Sequence, residues 1–100
     1  MNTTLWLPIR YRDFYDVPRA FVVEYEGSLY LFDCPFDSHA DEYPPNYSVY
    51  RLPSASVGSL EGSWEGLSIQ GRLLRELPVS SVRFDATKRC SVDSDILRTL

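Results

Sequence analysis

The chain has 100 residues, of which 44% are hydrophobic and 14% aromatic, and its formal net charge is −4. This composition excludes an intrinsically disordered chain, which lacks the apolar residues that a core requires. Residues 1–50 hold three arginines and eight acidic residues, a charge of −5. That excess disfavours nucleic acid as a partner, because phosphate contacts require concentrated positive charge.

Alternating residues predict the first strand between positions 5 and 15. Leu7, Ile9 and Tyr11 fall on one face and arginines on the other, which is the period of a half-buried strand. Pro8 has no backbone N–H to donate to a ladder, so we expect this strand to lie at a sheet edge or to start late.

Residues 19–25 and 29–34 predict a β-hairpin at the centre of the fold. Both segments are apolar at consecutive positions, so each strand carries apolar side chains on both faces. Gly27 lies in the short turn between them, where it adopts backbone angles that strain other residues. We therefore expect this hairpin to be covered from two directions.

A polar connection, residues 35–46, follows the hairpin. It contains three prolines and three acidic residues, a composition that excludes a regular element. Residues 47–52 predict the next strand, since Tyr50 and Leu52 lie in step. Residues 53–62 are small and polar, which predicts a second loop.

From residue 63 to residue 77 the apolar positions are spaced three or four apart, which predicts the main amphipathic helix. The stripe consists of Trp64, Leu67, Gly71 and Leu74. Pro78 ends the pattern. We interpret Gly71 as a position that allows close packing on a sheet.

Residues 79–84 predict a further strand, and Asp93 or Ser94 is expected to cap a short helix over residues 95–100. Together the elements predict a single α+β domain over residues 1–100. It has one antiparallel sheet of about five strands, either open or curled into a roll or partial barrel. The main helix over residues 63–77 lies on one face of this sheet.

The chain is expected to be cytoplasmic. Its first residues lack the basic region and long apolar run of a signal peptide, and no apolar run is long enough for a membrane span. Cys34 and Cys90 are too few and too far apart to form a disulfide framework. We therefore expect two reduced thiols, and a Cys34–Cys90 bridge is the alternative.

The candidate functional site is the acidic connection, and a flexible, solvated loop without a function is the alternative. Asp37, His39 and Asp41 alternate along it, so in an extended loop their side chains point the same way. Carboxylates and an imidazole can bind a divalent cation. However, the loop lacks the glycine and late glutamate of an EF-hand, and it has too few thiolate or imidazole ligands for structural zinc. We expect neither a metal nor a cofactor.

Cys34 and His39 raise the alternative of a small metal-dependent or thiol-dependent enzyme centred on this loop. Catalytic cysteine and histidine residues usually come from distant positions, and a cysteine that ends an apolar strand is typically a small buried hydrophobe. The sequence also lacks the common catalytic signatures, such as a phosphate-binding glycine loop or a nucleophile elbow. This alternative is therefore the less favoured one.

The tyrosines favour protein contacts. Tyr43 and Tyr47 flank two prolines, and Tyr15 lies near Arg19; aromatic residues with arginine are enriched at protein interfaces. Packing at the rim of the sheet is the alternative for each ring. Stacking on single-stranded nucleic acid is disfavoured by the acidic charge.

These patterns predict a small non-enzymatic binding or regulatory module. Its partner is a protein, either a larger one or a second copy of this chain, and membranes and nucleic acids are not expected. The predicted binding residues are Asp37, His39, Asp41, Tyr43 and Tyr47.

Overall fold

The fold is built on one open antiparallel sheet, seen in a computed structural model of the chain that describes residues 5–85, 87 and 90–100. Its strands are β1 (Trp6–Tyr15), β2 (Val17–Tyr25), β3 (Ser28–Asp33), β4 (Asn46–Leu52), β5 (Arg72–Pro78) and β6 (Ser91–Asp93). They pair in the order β5-β4-β3-β2-β1-β6, and every neighbouring pair runs antiparallel. Within the described residues the sheet does not close into a barrel, because β5 and β6 lie at opposite ends of this order.

The central strands β2 and β3 form the hairpin that the sequence predicts. Phe21 lies opposite Phe32, both side chains are fully buried, and their rings stack with centroids 4.6 Å apart. We call the side of the sheet that carries these rings the first face. On the other side, the second face, Val22 lies opposite Leu31 and both are buried. Both faces of the hairpin are therefore covered.

Different parts of the chain cover the two faces. The first face packs against the C-terminal part of the chain, which contributes Val82, Val92 and Leu97 to one core cluster. The second face packs against the connection between β4 and β5, which contributes Leu60 and Leu67 to a second cluster. Burial of apolar area on both sides supplies the main driving force for folding.

The prediction of a helix over residues 63–77 is wrong. One helical turn, α1 (Leu67–Gln70), lies in this segment, and β5 takes up Arg72–Pro78. Glycines border the turn: Gly66 has a left-handed φ of 75°, and Gly71 is extended with φ −98° and ψ 171°. Each glycine costs a helix about 1 kcal/mol relative to alanine. The ladder that β5 forms with β4 and the burial of Leu77 outweigh the helical pattern.

Gly71 packs closely on the sheet, as predicted, although its backbone is extended. A Cβ atom at this position would lie 3.0 Å from Leu52 Cδ2 and 3.0 Å from Tyr50 Cβ. Both neighbours belong to β4, so a larger residue would push β5 away from its pairing strand. Lack of space, rather than a backbone angle, requires glycine here.

The other helical segments are short. The strand predicted over residues 79–84 is a 3-10 turn, Val79–Ser81, and the unpredicted β6 raises the strand count to six. The expected C-terminal helix is a 3-10 helix, Ser94–Thr99, and the Asp93 carboxylate caps it by accepting the Asp95 N–H at 2.9 Å. No helix among the described residues has the length and apolar character that a bilayer span requires.

Alanine substitutions at two nearby positions test how α1 packs on the second face. Leu67 is 3% exposed and Ile69 is 86% exposed. We expect Leu67→Ala to lower the free energy of unfolding by about 2–5 kcal/mol, because it leaves a cavity under the second face. Ile69→Ala should change it by less than about 0.5 kcal/mol. Urea unfolding measures both values, and equal losses would contradict this placement.

Candidate functional site

The acidic connection after β3 is a closed loop. The Asp37 N–H donates to the Glu42 carbonyl at 2.9 Å, and the Glu42 N–H donates to the Asp37 carbonyl at 3.2 Å. The Asp37 carboxylate accepts the N–H groups of His39 at 2.9 Å and Ala40 at 3.2 Å, which is an Asx turn. Asp41 has a left-handed φ of 56°, which aspartate tolerates better than most residues. These local bonds close the loop between Asp37 and Glu42.

The closed loop brings aromatic rings together at its base. Phe36 and Tyr43 flank the Asp37–Glu42 pair, and their rings meet edge to face with centroids 5.1 Å apart. Tyr15, at the end of β1, stacks on Tyr43 at 5.4 Å. We call Tyr15, Phe36 and Tyr43 the aromatic cluster. Tyr15 is 60% exposed and Phe36 is 49% exposed, so the cluster presents its rings to solvent.

Arg19 of β2 packs against the aromatic cluster. Its guanidinium carbon lies 4.4 Å from the centroid of the Tyr43 ring, and its Nε donates to the Tyr15 carbonyl at 2.9 Å. A terminal nitrogen lies 3.8 Å from Cys34 Sγ. Among the described residues, Arg19 forms no ion pair with a carboxylate. Its charge is therefore stabilised by the Tyr43 ring and by a carbonyl oxygen.

A pocket of about 540 Å³ opens beside the aromatic cluster. Its walls are formed by Tyr15, Arg19, Phe36, Asp41, Glu42 and Tyr43. In the part of the chain that the structure describes, no lysine or arginine forms an ion pair with Asp41 or Glu42. The pocket lining thus combines three aromatic residues with Arg19 and with two acidic residues that form no ion pair with a described lysine or arginine.

The five predicted binding residues lie in three different environments. Asp41 and Tyr43 line the pocket. The Asp37 carboxylate is used inside the loop, and His39 is exposed in the turn at the tip of the loop. Tyr47 is fully buried in the core.

Tyr47 contributes to the core through its ring and its hydroxyl. The hydroxyl donates to the Pro18 carbonyl at 2.7 Å, which joins β4 to the start of β2. Burial raises the pKa of Tyr47 above its usual value, an effect that Arg19 opposes and Cys34 adds to. The hydroxyl therefore keeps the proton that this hydrogen bond needs. Tyr47 is therefore a core residue and not part of the candidate surface.

Four residues of the pocket are absent from the predicted set, namely Tyr15, Arg19, Phe36 and Glu42. The proximity of Tyr15 and Arg19 along the chain is visible in the sequence as an aromatic–arginine pairing. Phe36 gives no such signal, because it is a single apolar residue in a polar loop. Only the backbone pairing of Asp37 with Glu42 places it against Tyr43.

Cys34 packs in the core at the end of β3. Its side chain is fully buried, and the thiol donates to the Pro44 carbonyl at 3.3 Å. Cys34 and Cys90 are both free, so the alternative disulfide is not formed. Among the described residues, no group of three or more His, Cys, Asp or Glu side chains is arranged to hold a metal ion.

A second cleft, of about 460 Å³, lies on the second face over β2 and β3. The Arg12 guanidinium lies 4.7 Å from the centroid of the Trp64 ring and donates to the Leu60 carbonyl at 3.1 Å. Asp33 lines this cleft. Burial raises the pKa of Asp33, and the nearby charge of Asp13 adds to the rise.

Comparisons of the chain with protein-family models, curated proteins and solved structures found no match. The function proposed below therefore rests on the geometry of the site.

Asp33→Asn is expected to stabilise the protein at neutral pH. Below the usual pKa of 3.8 the carboxyl group is neutral in both the folded and the unfolded state. As the pH rises above that value, the folded state binds more protons than the unfolded state, and stability falls. Urea unfolding at about pH 3 and about pH 7 should therefore show that the stability of Asp33→Asn relative to wild type is greater at the higher pH. A difference that is constant with pH would contradict this account.

Proposed function

We propose that this chain is a small non-enzymatic binding module that contacts a protein partner through the aromatic cluster and Arg19. The observation that carries the proposal is the position of the rings. Tyr15 and Phe36 are large apolar side chains that lie outside the core and remain about half exposed, yet they pack on Tyr43 in a fixed arrangement.

The residue types of this surface are those that dominate the energetics of protein interfaces. Tyrosine and arginine are enriched among residues whose removal weakens binding most. Phenylalanine adds apolar area that a partner can cover. Four of the eight large hydrophobic side chains that are exposed among the described residues, Tyr11, Phe14, Tyr15 and Phe36, lie in the second half of β1 or in the loop.

The surface is also ordered before binding. The Asp37–Glu42 pair and the Asx turn fix the loop, and Arg19 bonds to the backbone of Tyr15. A partner therefore does not have to supply the free energy needed to order the loop, which is a common cost of association.

The enzyme alternative draws no support from the site. The contacts of the buried Cys34 thiol are the Pro44 carbonyl and Arg19, and His39 lies exposed at the loop tip. A nucleophile needs a base within hydrogen-bond reach. As part of the proposal, the module acts in the cytoplasm, which agrees with its two free cysteines.

Capture experiments with matched variants test the proposal. Phe36→Ala combined with Tyr43→Ala removes most of the aromatic cluster, whereas Ile69→Ala combined with Leu73→Ala removes exposed apolar side chains elsewhere. We expect wild type and the Ile69/Leu73 variant to retain the same protein from a lysate of the source cells. The Phe36/Tyr43 variant should retain about tenfold less, because interface rings dominate affinity.

Site-specific crosslinking and sedimentation complete the test. A photoreactive phenylalanine analogue at position 36 should crosslink to the captured protein, and the same analogue at position 69 should not. Loss of a dimer in the Phe36/Tyr43 variant would identify a second copy as the partner. Equal capture by all three proteins would contradict the proposed surface, provided that circular dichroism shows each variant to be folded.

A further inference from the structure

We infer that the pocket beside the aromatic cluster accepts an arginine side chain from a basic segment of the partner. This inference rests on the proposed function and adds the chemistry of the partner to it. The occupant is a cation because three aromatic residues and two acidic residues, Asp41 and Glu42, line the pocket. Aromatic faces and carboxylates both attract cations.

The charge around the pocket favours a basic partner. Asp16 directly follows Tyr15, and the loop contributes Asp37, Asp41 and Glu42. Among the described residues, Arg19 is the one arginine that lines the pocket. The local surface is therefore negative, and a positively charged segment is electrostatically complementary to it.

Arg19 does not turn the pocket into an anion site. Its guanidinium stacks on Tyr43, its Nε donates to the Tyr15 carbonyl, and a terminal nitrogen lies against Cys34. An anion that approached Arg19 through the pocket would also approach the carboxylates of Asp41 and Glu42. Those carboxylates would repel it at short range.

Arginine fits this pocket better than lysine does. The guanidinium group is planar, so it stacks on a ring while its N–H groups form paired hydrogen bonds to a carboxylate. The contact of Arg19 with Tyr43 already shows this stacking geometry within the molecule. The pocket, at about 540 Å³, is open to solvent and large enough to admit a guanidinium group.

Titration of the full chain with synthetic peptides tests the inference. The probe is a nine-residue peptide of repeated Arg-Ser-Gly, and the matched probe replaces each arginine by citrulline, which has a similar shape but no charge. A third peptide carries glutamate. In ¹H–¹⁵N spectra, the arginine peptide should shift the amides of Tyr15, Phe36 and residues 41–43. Its affinity should exceed that of the citrulline peptide by about fivefold and fall with added salt.

Variants with equal charge change provide the control. Asp41→Asn combined with Glu42→Gln should weaken binding of the arginine peptide by about fivefold. Glu24→Gln combined with Glu26→Gln changes the net charge equally at the far end of the β2–β3 hairpin and should leave binding unchanged.

Four results would overturn the inference. They are equal affinity for the arginine and citrulline peptides, tighter binding of the glutamate peptide, equal losses in the two double variants, and no spectral shift at millimolar arginine peptide. If the inference fails while the Phe36/Tyr43 variant still loses its protein partner, the proposed function stands. If the arginine peptide binds as expected but the Phe36/Tyr43 variant still captures the protein, the proposed function fails. The inference that the pocket binds arginine then stands.

Discussion

Burial of the β2–β3 hairpin on both faces is the constraint on which the rest of the structure depends. A strand pair with apolar side chains on both sides must be covered twice, and a meander of strands alone covers neither side. The chain after β4 meets this need in two steps. The connection before β5 places Leu60 and Leu67 on the second face, and the C-terminal part places Val82, Val92 and Leu97 on the first.

The candidate site follows from where this central hairpin ends. The Cys34 N–H donates to the Arg19 carbonyl at 2.7 Å, which extends the pairing of β2 with β3 by one residue. That bond fixes the backbone of Arg19 and the start of the loop together. The loop then folds on itself through Asp37 and Glu42, and the Tyr43 ring packs on the Arg19 guanidinium. Core packing thus positions the aromatic cluster, whose Tyr43 packs against the core cluster of the first face.

The sequence predicts most of the sheet, because period-two patterns and apolar runs report local burial directly. The sequence did not predict β5, because the spacing of Trp64, Leu67, Gly71 and Leu74 matches a helix. Only the pairing of this segment with β4 reveals the strand. β6 has three residues, too few to produce a period. The candidate site was predicted in part. Asp41 and Tyr43 line the pocket. Tyr47 is buried, which its neighbours along the chain do not indicate. Phe36 reaches the pocket through the backbone pairing of Asp37 with Glu42, which the sequence does not reveal.

Native-state amide hydrogen exchange tests the central claim most directly. If the two-sided hairpin organises the structure, the slowest amides lie in residues 21–23 and 31–32 and exchange only when the whole protein unfolds. Amides at the tip of the loop, residues 38–41, should exchange far faster, because local opening there leaves the core intact. Slowest exchange in β5 or in the C-terminal 3-10 helix, with early opening of β2 and β3, would contradict the account.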